Sequence, residues 1–274
     1  MSEQRVLQDA GARPAPASPD RVNRRVRRYW NEHIHDLAIS RHPPGSAAFF
    51  VDLDEYHFDK LHHLLRLVPF DGLAGKQVLD VGCGTGVDLV RFARGGARAT
   101  GVDIADSAVA LARQNVAHNG LHADLLVADG EALPFPTACF DYAFAHGVAQ
   151  YTGNGRRLVE EVHRVLKPGG QAMFQGYNRI SWLNALSALM KVDLEHEGAP
   201  VLYKYSPGEF RALVDVFPSV DVVFERFPVK SRLHGGWKGL AFNTFFVGAF
   251  NAVPRRLVMR YGWHLLAICR KSST

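Results

Sequence analysis

The chain has 274 residues, enough for one α/β domain with added segments and a large apolar core. A formal net charge of +5 and a pI near 9.2 allow an acidic partner without requiring one. Cys83, Cys139 and Cys269 are far apart and form no CxxC pair, which predicts a reducing compartment and argues against a disulfide framework or a zinc site. The N-terminal stretch lacks a signal-peptide core and the apolar run at 239–253 is too short to cross a membrane, so we expect a cytoplasmic protein.

The N-terminal quarter of the chain predicts a tail followed by helices. Residues 1–20 are rich in Ala, Pro, Ser and Gln, which is typical of a disordered tail. A helix is expected over 21–35, with five arginines and two aromatic residues near its end. Either this helix exposes a basic face to solvent and docks its two aromatic rings on the core, or it is a lid that closes over a ligand. A second helix is expected over 54–68, and we assign 21–72 to a helical lid segment.

Three histidines, His57, His62 and His63, lie in the second expected helix. Their spacing offers no set of metal ligands, and the chain has no HExxH pair. We therefore expect these histidines at the surface or as helix caps, and we expect no bound metal.

A strand, a glycine turn and the start of a helix occupy residues 78–89. Gly82, Gly84 and Gly86 are spaced G-x-G-x-G, unlike the G-x-G-x-x-G of dinucleotide-binding proteins. Asp80 precedes the first glycine by two residues, and an acid there suits a ligand with a cationic ammonium better than a pyrophosphate. This arrangement resembles motif I of the class I S-adenosylmethionine (SAM)-dependent methyltransferases.

Acids also follow the next two predicted strands. Asp103 lies 17 residues beyond Gly86. In α/β folds of this kind, an acid at about that distance past the glycine turn accepts hydrogen bonds from ribose hydroxyls. Asp129 follows the third strand and could accept from an adenine amino group, and the stretch 129–135 resembles the corresponding motif of the ubiquinone and menaquinone methyltransferases. The resemblance implies SAM as the cofactor, bound by the following residues: Asp80, Gly82, Gly84, Gly86, Asp103, Ile104, Asp129, Gly130, Glu131 and His146.

The resemblance covers residues 76–177, where four motifs occur in order, and is weaker beyond them. It implies a Rossmann-like, mostly parallel seven-stranded sheet with an antiparallel last strand, helices on both faces and an N-terminal helical lid. We expect the methyltransferase domain over 73–274. Two segments match no motif of the family, 179–205 after the fifth strand and 228–262 after the sixth, and we assign both to the acceptor side.

The resemblance further implies methyl transfer to a small, partly apolar acceptor, natural-product or quinone- or lipid-like, at oxygen, nitrogen or carbon. Ligands of open α/β sheets lie beyond the carboxyl ends of the strands. By that rule His146 and Tyr177 are the candidate catalytic residues. The candidate acceptor-binding residues are Tyr29, Trp30, Gln150, Tyr151, Asn178 and Phe245.

Two other functions fit parts of the sequence. RNA methylation would use the N-terminal arginines, but no RNA-binding module is recognisable and the net charge is small for a phosphate footprint, so nucleic acid is not the expected partner. A protein that binds SAM without turnover would need the same glycine and acid motifs.

The segment 228–262 combines six basic residues with interspersed aromatic ones and has no acid. It could pack on the sheet edge, roof the acceptor cavity, or rest on an anionic membrane as a peripheral contact. We favour the roof of the acceptor cavity.

Overall fold

The computed structural model describes residues 19–34, 36–190, 194, 196, 198–227, 244 and 247–274. The expected disordered tail therefore lies outside the described residues, except that its last two residues, Pro19 and Asp20, already belong to a helix. About half of the basic, aromatic segment 228–262 also lies outside them, and Phe245 with it.

Helices and strands alternate along most of the described chain. The helices are α1 (Pro19–Glu32), α2 (Ala47–Lys60), α3 (Leu64–Leu67), α4 (Val87–Arg94), α5 (Asp106–His118), α6 (Gly155–Val165), α7 (Trp182–Met190), α8 (Pro207–Leu213), α9 (Val247–Ala252) and α10 (Arg255–Val258). The strands are β1 (Gln77–Val81), β2 (Arg98–Asp103), β3 (Asp124–Val127), β4 (Phe140–Ala145), β5 (Leu166–Asn178), β6 (Lys204–Tyr205), β7 (Ser219–Glu225) and β8 (His264–Arg270).

One sheet with the order β3-β2-β1-β4-β5-β8-β7 forms the centre of the molecule. β1 to β5 are parallel, and β8 runs antiparallel to both β5 and β7. The predicted sheet with an antiparallel last strand is confirmed. It has an eighth strand that the prediction missed, since β6 pairs only Lys204 and Tyr205 with the end of β5. Two residues are too few to produce the alternation by which a strand is recognised in a sequence.

The strands alternate their side chains between two hydrophobic layers. Leu79 and Val81 of β1 pack in one layer, with residues of α6 and α8, whereas Val78 packs in the other, with residues of α2, α4 and α5. This period of two follows from the pleat of a strand that is buried on both faces. The predicted helices on both faces are confirmed.

The predicted helix over 54–68 is wrong in its bounds. α2 begins at Ala47, where the Ser46 side chain accepts a hydrogen bond from the backbone N–H of Phe49, and it ends at Lys60. A turn separates it from the single helical turn α3. Because the helix does not continue through that turn, Leu65 does not extend the buried face of α2 and is exposed.

α1 is anchored to the start of α5 by polar contacts. The Asn31 side-chain oxygen accepts hydrogen bonds from the backbone N–H and the hydroxyl of Ser107, and Arg27 forms an ion pair with Asp106 at 2.6 Å. Val26 on the opposite side of the helix is buried. α1 therefore combines an exposed arginine face with a docked apolar face.

From β1 the chain adds β2 and β3 on one side of the sheet and then β4 and β5 on the other, so the strand order reverses between β1 and β4. A cleft opens outside the carboxyl ends of parallel strands at such a point. The glycine turn after β1, Asp103 at the end of β2, Asp129 beyond β3 and His146 after β4 all lie at this edge.

None of the helices described here has the length and apolarity that crossing a membrane requires.

Candidate active site

A cavity of about 230 Å³ lies at the carboxyl edge of the sheet, between the strand ends and helices α1 and α2. It brings together predicted cofactor, catalytic and acceptor residues from seven different elements and loops. The predicted residues that line it are Trp30, Gly82, Gly84, Asp103, Ile104, Asp129, Gly130, His146, Tyr151 and Tyr177.

The three glycines of the turn after β1 all have positive φ, between 53° and 78°, but they face different surroundings. A Cβ on Gly82 would lie 2.3 Å from a methyl group of Val148, and one on Gly86 would lie 3.0 Å from the Cβ of Ala112. A Cβ on Gly84 would meet no atom of the described residues within 4 Å. Packing therefore requires glycine at both outer positions, whereas at Gly84 it is the open cavity that a Cβ would enter.

Asp103 organises the glycine turn from the end of β2. Its two carboxylate oxygens accept hydrogen bonds from the backbone N–H groups of Gly84 and Ala105, each at 2.9 Å. Burial raises the pKa of the Asp103 carboxyl, although these hydrogen bonds act in the opposite direction. The carboxylate thus fixes the loop conformation and still borders the cavity.

Asp80 lies in β1 beneath the same turn and does not itself line the cavity. Its side chain is 2% exposed, and its Oδ2 has no hydrogen-bond partner among the described residues. Burial, with the nearby charges of Asp88 and Asp103, raises its pKa well above the usual value. A buried carboxyl oxygen without a donor is costly unless a ligand, water or proton satisfies it.

Asp129 and Glu131, both predicted to bind the cofactor, have different surroundings. The Asp129 carboxylate borders the cavity and accepts hydrogen bonds from the Asn23 side chain at 2.6 Å and from the backbone N–H of Glu131 at 2.9 Å. The Glu131 carboxylate lies outside the cavity lining and accepts from the Thr152 hydroxyl and the backbone N–H of Asn154. Glu131 therefore fixes the loop after β4.

Aromatic residues form one wall of the cavity. Trp30 packs edge-on against Tyr151, with ring centroids 4.9 Å apart, and the hydroxyls of Tyr151 and Tyr177 lie 3.1 Å apart. Tyr177 stacks on Trp263 at 4.4 Å. Tyr29, which was also predicted here, lies outside the lining and stacks on His33.

Gln150 and Asn178, predicted acceptor residues, also lie outside the cavity lining. Gln150 donates to the side-chain oxygen of Gln175 at 3.0 Å, and it is Gln175 that borders the cavity. The Asn178 amide donates to the backbone carbonyls of Arg260 and Gly262, both at 2.8 Å, and so links the end of β5 to the approach to β8. The sequence offered a signal for Gln175, which is the polar residue within the otherwise apolar run 172–176 of the strand.

The expectation of surface or capping histidines is wrong for two of the three. His57 lines the cavity, with its Nε2 3.2 Å from Asp88 Oδ1, and His63 is 2% exposed. Only His62 is exposed. The sequence contained a usable signal, because His57 follows Leu53 by four residues and Phe50 by seven and so lies near the buried face of α2.

His57 and His63 belong to a row of four neighbouring imidazoles that the sequence does not predict. The ring of His146 lies 6.2 Å from that of His57 and 5.8 Å from that of His264, and His264 lies 5.6 Å from His63. His146, His264 and Arg226 also line the cavity. In the part of the chain described, no group of three or more His, Cys, Asp or Glu residues is arranged to hold a metal ion.

The protonation preferences of these histidines differ. Burial lowers the pKa of His63 to about 3 and that of His264 well below its usual value, and the Arg226 charge adds to both shifts. Burial also acts to lower the pKa of His57, but the charge and hydrogen bond of the Asp88 carboxylate outweigh it and raise that pKa. The Asp88 carboxyl in turn has a lowered pKa, because the favourable interaction with His57 exceeds the effect of burial.

Comparison with known proteins shows what the chain is similar to. Residues 79–174 match the family model described as a methyltransferase domain. The chain is 36% identical over 129 residues to the ubiquinone biosynthesis O-methyltransferase of Azoarcus sp. (strain BH72), covering 44% of this chain and 55% of that protein. It is 34% identical over 152 residues to the protein of the same name from Sodalis glossinidius, covering 51% of this chain and 59% of that one. The chain thus spans little more than half the length of these relatives.

Solved structures agree on the fold. A Thermotoga maritima SAM-dependent methyltransferase superposes with a TM-score of 0.55 at 18% identity, covering 82% of this chain and 98% of that one. A Haemonchus contortus N-methyltransferase determined with S-adenosylhomocysteine gives 0.57 at 15% identity, covering 90% and 60%. Residues 79–174 thus match a methyltransferase domain, and the chain shares the Rossmann-like fold of these solved structures, so the predicted resemblance is confirmed.

Proposed function

We propose that this protein transfers the methyl group of SAM to a small, partly apolar acceptor with an aromatic hydroxyl. One observation carries the proposal: a single cavity joins the glycine turn and Asp103 to a wall of aromatic and histidine side chains. The relatives named as O-methyltransferases support oxygen as the methylated atom, in preference to nitrogen or carbon.

The residues at the strand ends fit a cofactor that carries an ammonium and a sulfonium. Asp80 has a buried oxygen that lacks a donor, and Asp103 and Asp129 border the cavity with carboxyls whose pKa values burial raises. A positively charged ligand would offset the cost of ionising these acids. Gly84 leaves room for a close approach. We assign the cofactor to Asp80, Gly84, Asp103, Ile104, Asp129 and Gly130, with Gly82 and Gly86 shaping the turn.

SAM supplies an electrophilic methyl group, and the protein need form no covalent intermediate with the acceptor. What the chain contributes is alignment of the acceptor and exclusion of water, which together account for several kcal/mol of a typical barrier. α1 and the residues just beyond its end cover the cavity through Val26, Trp30 and Ile34, and this cover could exclude water. We therefore favour the lid interpretation of α1.

The acceptor side is assigned to the aromatic wall and the histidines. Trp30, Tyr151 and Tyr177 offer flat apolar surface for a ring, and Lys60 and Arg226 line the same cavity with positive charge. An aromatic hydroxyl that becomes anionic on losing its proton suits both features. His146 lies between the other histidines at the end of β4, where it could orient the acceptor.

The test is isothermal titration calorimetry with SAM, followed by incubation with isotopically labelled SAM and a panel of catechols, phenols and amines. Saturable SAM binding with label on a catechol oxygen is the expected result. Binding without label on any acceptor, including a cell extract analysed by mass spectrometry, would favour the SAM-binding protein without turnover. Absence of SAM binding would overturn the proposal.

We also propose a cytoplasmic site of action, for which three free cysteines are the support. The roof of the acceptor cavity assigned to 228–262, and the alternative membrane contact of that segment, concern a stretch about half of which lies outside the described residues. Both stay predictions, and liposome co-sedimentation with anionic lipid separates them.

A further inference from the structure

His57 and Asp88 form a buried acid–base pair in the cavity wall that the sequence does not connect. They are 31 residues apart, on α2 and on the first turn of α4, and their side chains are 17% and 12% exposed. The 3.2 Å contact uses Nε2 of His57 and Oδ1 of Asp88. Since Asp88 engages Nε2, Nδ1 is the remaining basic nitrogen of the ring.

The surroundings distinguish His57 from the other imidazoles of the row. Among the groups that face it, Asp88 of α4 and Asp36 before α2 favour its protonated form, and Lys60 of α2 opposes it. His146 and Arg91 face Asp88 and stabilise its carboxylate. The row therefore has one basic imidazole, His57, at one end, and His264 and His63, whose surroundings favour the neutral ring, at the other end beyond His146.

A carboxylate that holds one imidazole nitrogen orients the ring and stabilises the imidazolium that forms when the other nitrogen takes a proton. An aromatic hydroxyl ionises near pH 10 in water, so at neutral pH its methylation benefits from a positioned base. The aromatic wall and the positive charges of the cavity suit the same acceptor.

We propose that His57, oriented by Asp88, accepts the proton of an aromatic hydroxyl of the acceptor at Nδ1 as the oxygen is methylated. The O–H bond breaks with its proton going to Nδ1, the oxygen electron pair forms the O–C bond, and the electrons of the C–S bond remain on sulfur. The positive charge passes from the sulfonium to the imidazolium, and the proton is later lost to water. This inference rests on the proposed function, and it names the residue that does the proton transfer.

The test uses the 274-residue protein, its His57→Gln and Asp88→Asn variants, and His62→Gln as a matched control from the exposed turn nearby. Calorimetry with SAM comes first, because equal affinity in all four proteins separates the proton step from cofactor binding. The second measurement is the pH dependence of kcat/KM for methylation of catechol. The third is the visible spectrum of bound 4-nitrocatechol, whose ionised form absorbs at longer wavelength, so that it reports proton transfer without turnover.

For wild type, kcat/KM should rise with pH through an apparent pKa above 6.5. Asp88→Asn should move this rising limb of the pH profile to lower pH. His57→Gln should lower kcat/KM by about 10²- to 10⁴-fold and remove the limb. 4-Nitrocatechol should ionise at lower pH when bound to wild type and should lose that shift in His57→Gln, whereas His62→Gln should behave as wild type.

Unchanged SAM binding with an unaltered catechol pH profile in both variants would overturn the role of His57 and leave the proposed function intact. If wild type binds SAM but neither methylates catechol nor changes the ionisation of 4-nitrocatechol, the aromatic hydroxyl is the wrong acceptor and the inference falls. If His57→Gln does not fold, Asp88→Asn and the wild-type 4-nitrocatechol spectrum decide the question. If wild type does not bind SAM, the proposed function fails, and the inference with it.

Discussion

The amide of Asn23 donates a hydrogen bond to the carboxylate of Asp129 at 2.6 Å, across 106 residues of sequence. Asn23 belongs to α1, and Asp129 follows β3 at the end of the cavity assigned to the cofactor. The contact fastens the N-terminal helix across the strand ends. It also occupies an oxygen of the residue that the sequence predicts to bind adenine, so we expect cofactor binding to depend on the position of α1.

Asn23→Ala should accelerate dissociation of SAM. A hydrogen bond to a charged group contributes about 1.5–3 kcal/mol, so the rate should rise by roughly 10- to 100-fold if the contact persists in the complex. Stopped-flow fluorescence would measure it. Arg24→Ala, an exposed change on the same helix, is the matched control, and equal rates in wild type and Asn23→Ala would show that α1 does not cover the cofactor.

Gly84→Ala should weaken SAM binding at least tenfold, because its Cβ would enter the space where no described atom lies within 4 Å. The positive φ of 53° adds a backbone cost of about 1–2 kcal/mol to folding. Gly120→Ala provides the control, because Gly120 has a φ of 63°, an equally open Cβ position and no place in the cavity lining. Both variants should lose similar stability, and only Gly84→Ala should lose affinity.

Asp103→Ala should raise the Kd for SAM by roughly 5- to 150-fold, corresponding to about 1–3 kcal/mol for a lost buried hydrogen bond. The backbone N–H groups of Gly84 and Ala105 also lose their acceptor, so the glycine turn should become less ordered. Calorimetry measures the affinity and hydrogen exchange measures the turn. Asp124→Ala at the exposed start of β3 should change neither, and unaltered affinity in Asp103→Ala would remove Asp103 from the cofactor site.

Asp80→Asn should stabilise the ligand-free protein and weaken SAM binding. Because the folded-state pKa of Asp80 is raised well above 3.8, the folded protein binds the proton more tightly than the unfolded chain does. Its effect therefore makes the free energy of unfolding fall as pH rises from about 4 through the raised pKa, at about 1.4 kcal/mol for each unit of pKa difference. Because the amide of Asp80→Asn does not ionise, the variant should not show this fall in the free energy of unfolding.

Thermal unfolding of wild type and Asp80→Asn from pH 4 to pH 8 measures that difference. The melting temperatures should diverge as pH rises, by about 2–4 °C for each kcal/mol in a domain of this size. The raised pKa values of Asp103 and Asp129 also make the free energy of unfolding fall as pH rises, but they do so in both proteins. The difference between the two proteins therefore isolates Asp80. Parallel melting curves across this range would show that Asp80 is not a buried acid with a raised pKa.

His146→Gln should lower kcat for catechol methylation by roughly 10- to 100-fold, since a misoriented acceptor reacts slowly, while SAM affinity changes little. The pH limb assigned to His57 should remain, which distinguishes an orienting residue from the base. His122→Gln, an exposed histidine before β3, is the control. Equal losses of SAM affinity and turnover would instead place His146 in the wall of the cofactor site.

The sequence by itself determined the sheet and the cofactor end of the cavity. Short apolar runs predict strands, and the resemblance implies that most of them are parallel. In a parallel sheet the residues after the strands lie at one edge, so Gly84, Asp103 and Asp129 are expected together. Local patterns were sufficient there because each residue is fixed by the strand immediately before it.

Only the tertiary structure decided the rest of the cavity. His57 meets Asp88, and Tyr177 meets Trp263, through packing between elements far apart in the sequence. The same packing directed Glu131 and Asn178 to loop contacts and placed them outside the cavity lining. Spacing along a chain fixes which face of a helix or strand a side chain occupies, but not which other element that face meets, because that choice depends on the packing of the whole core.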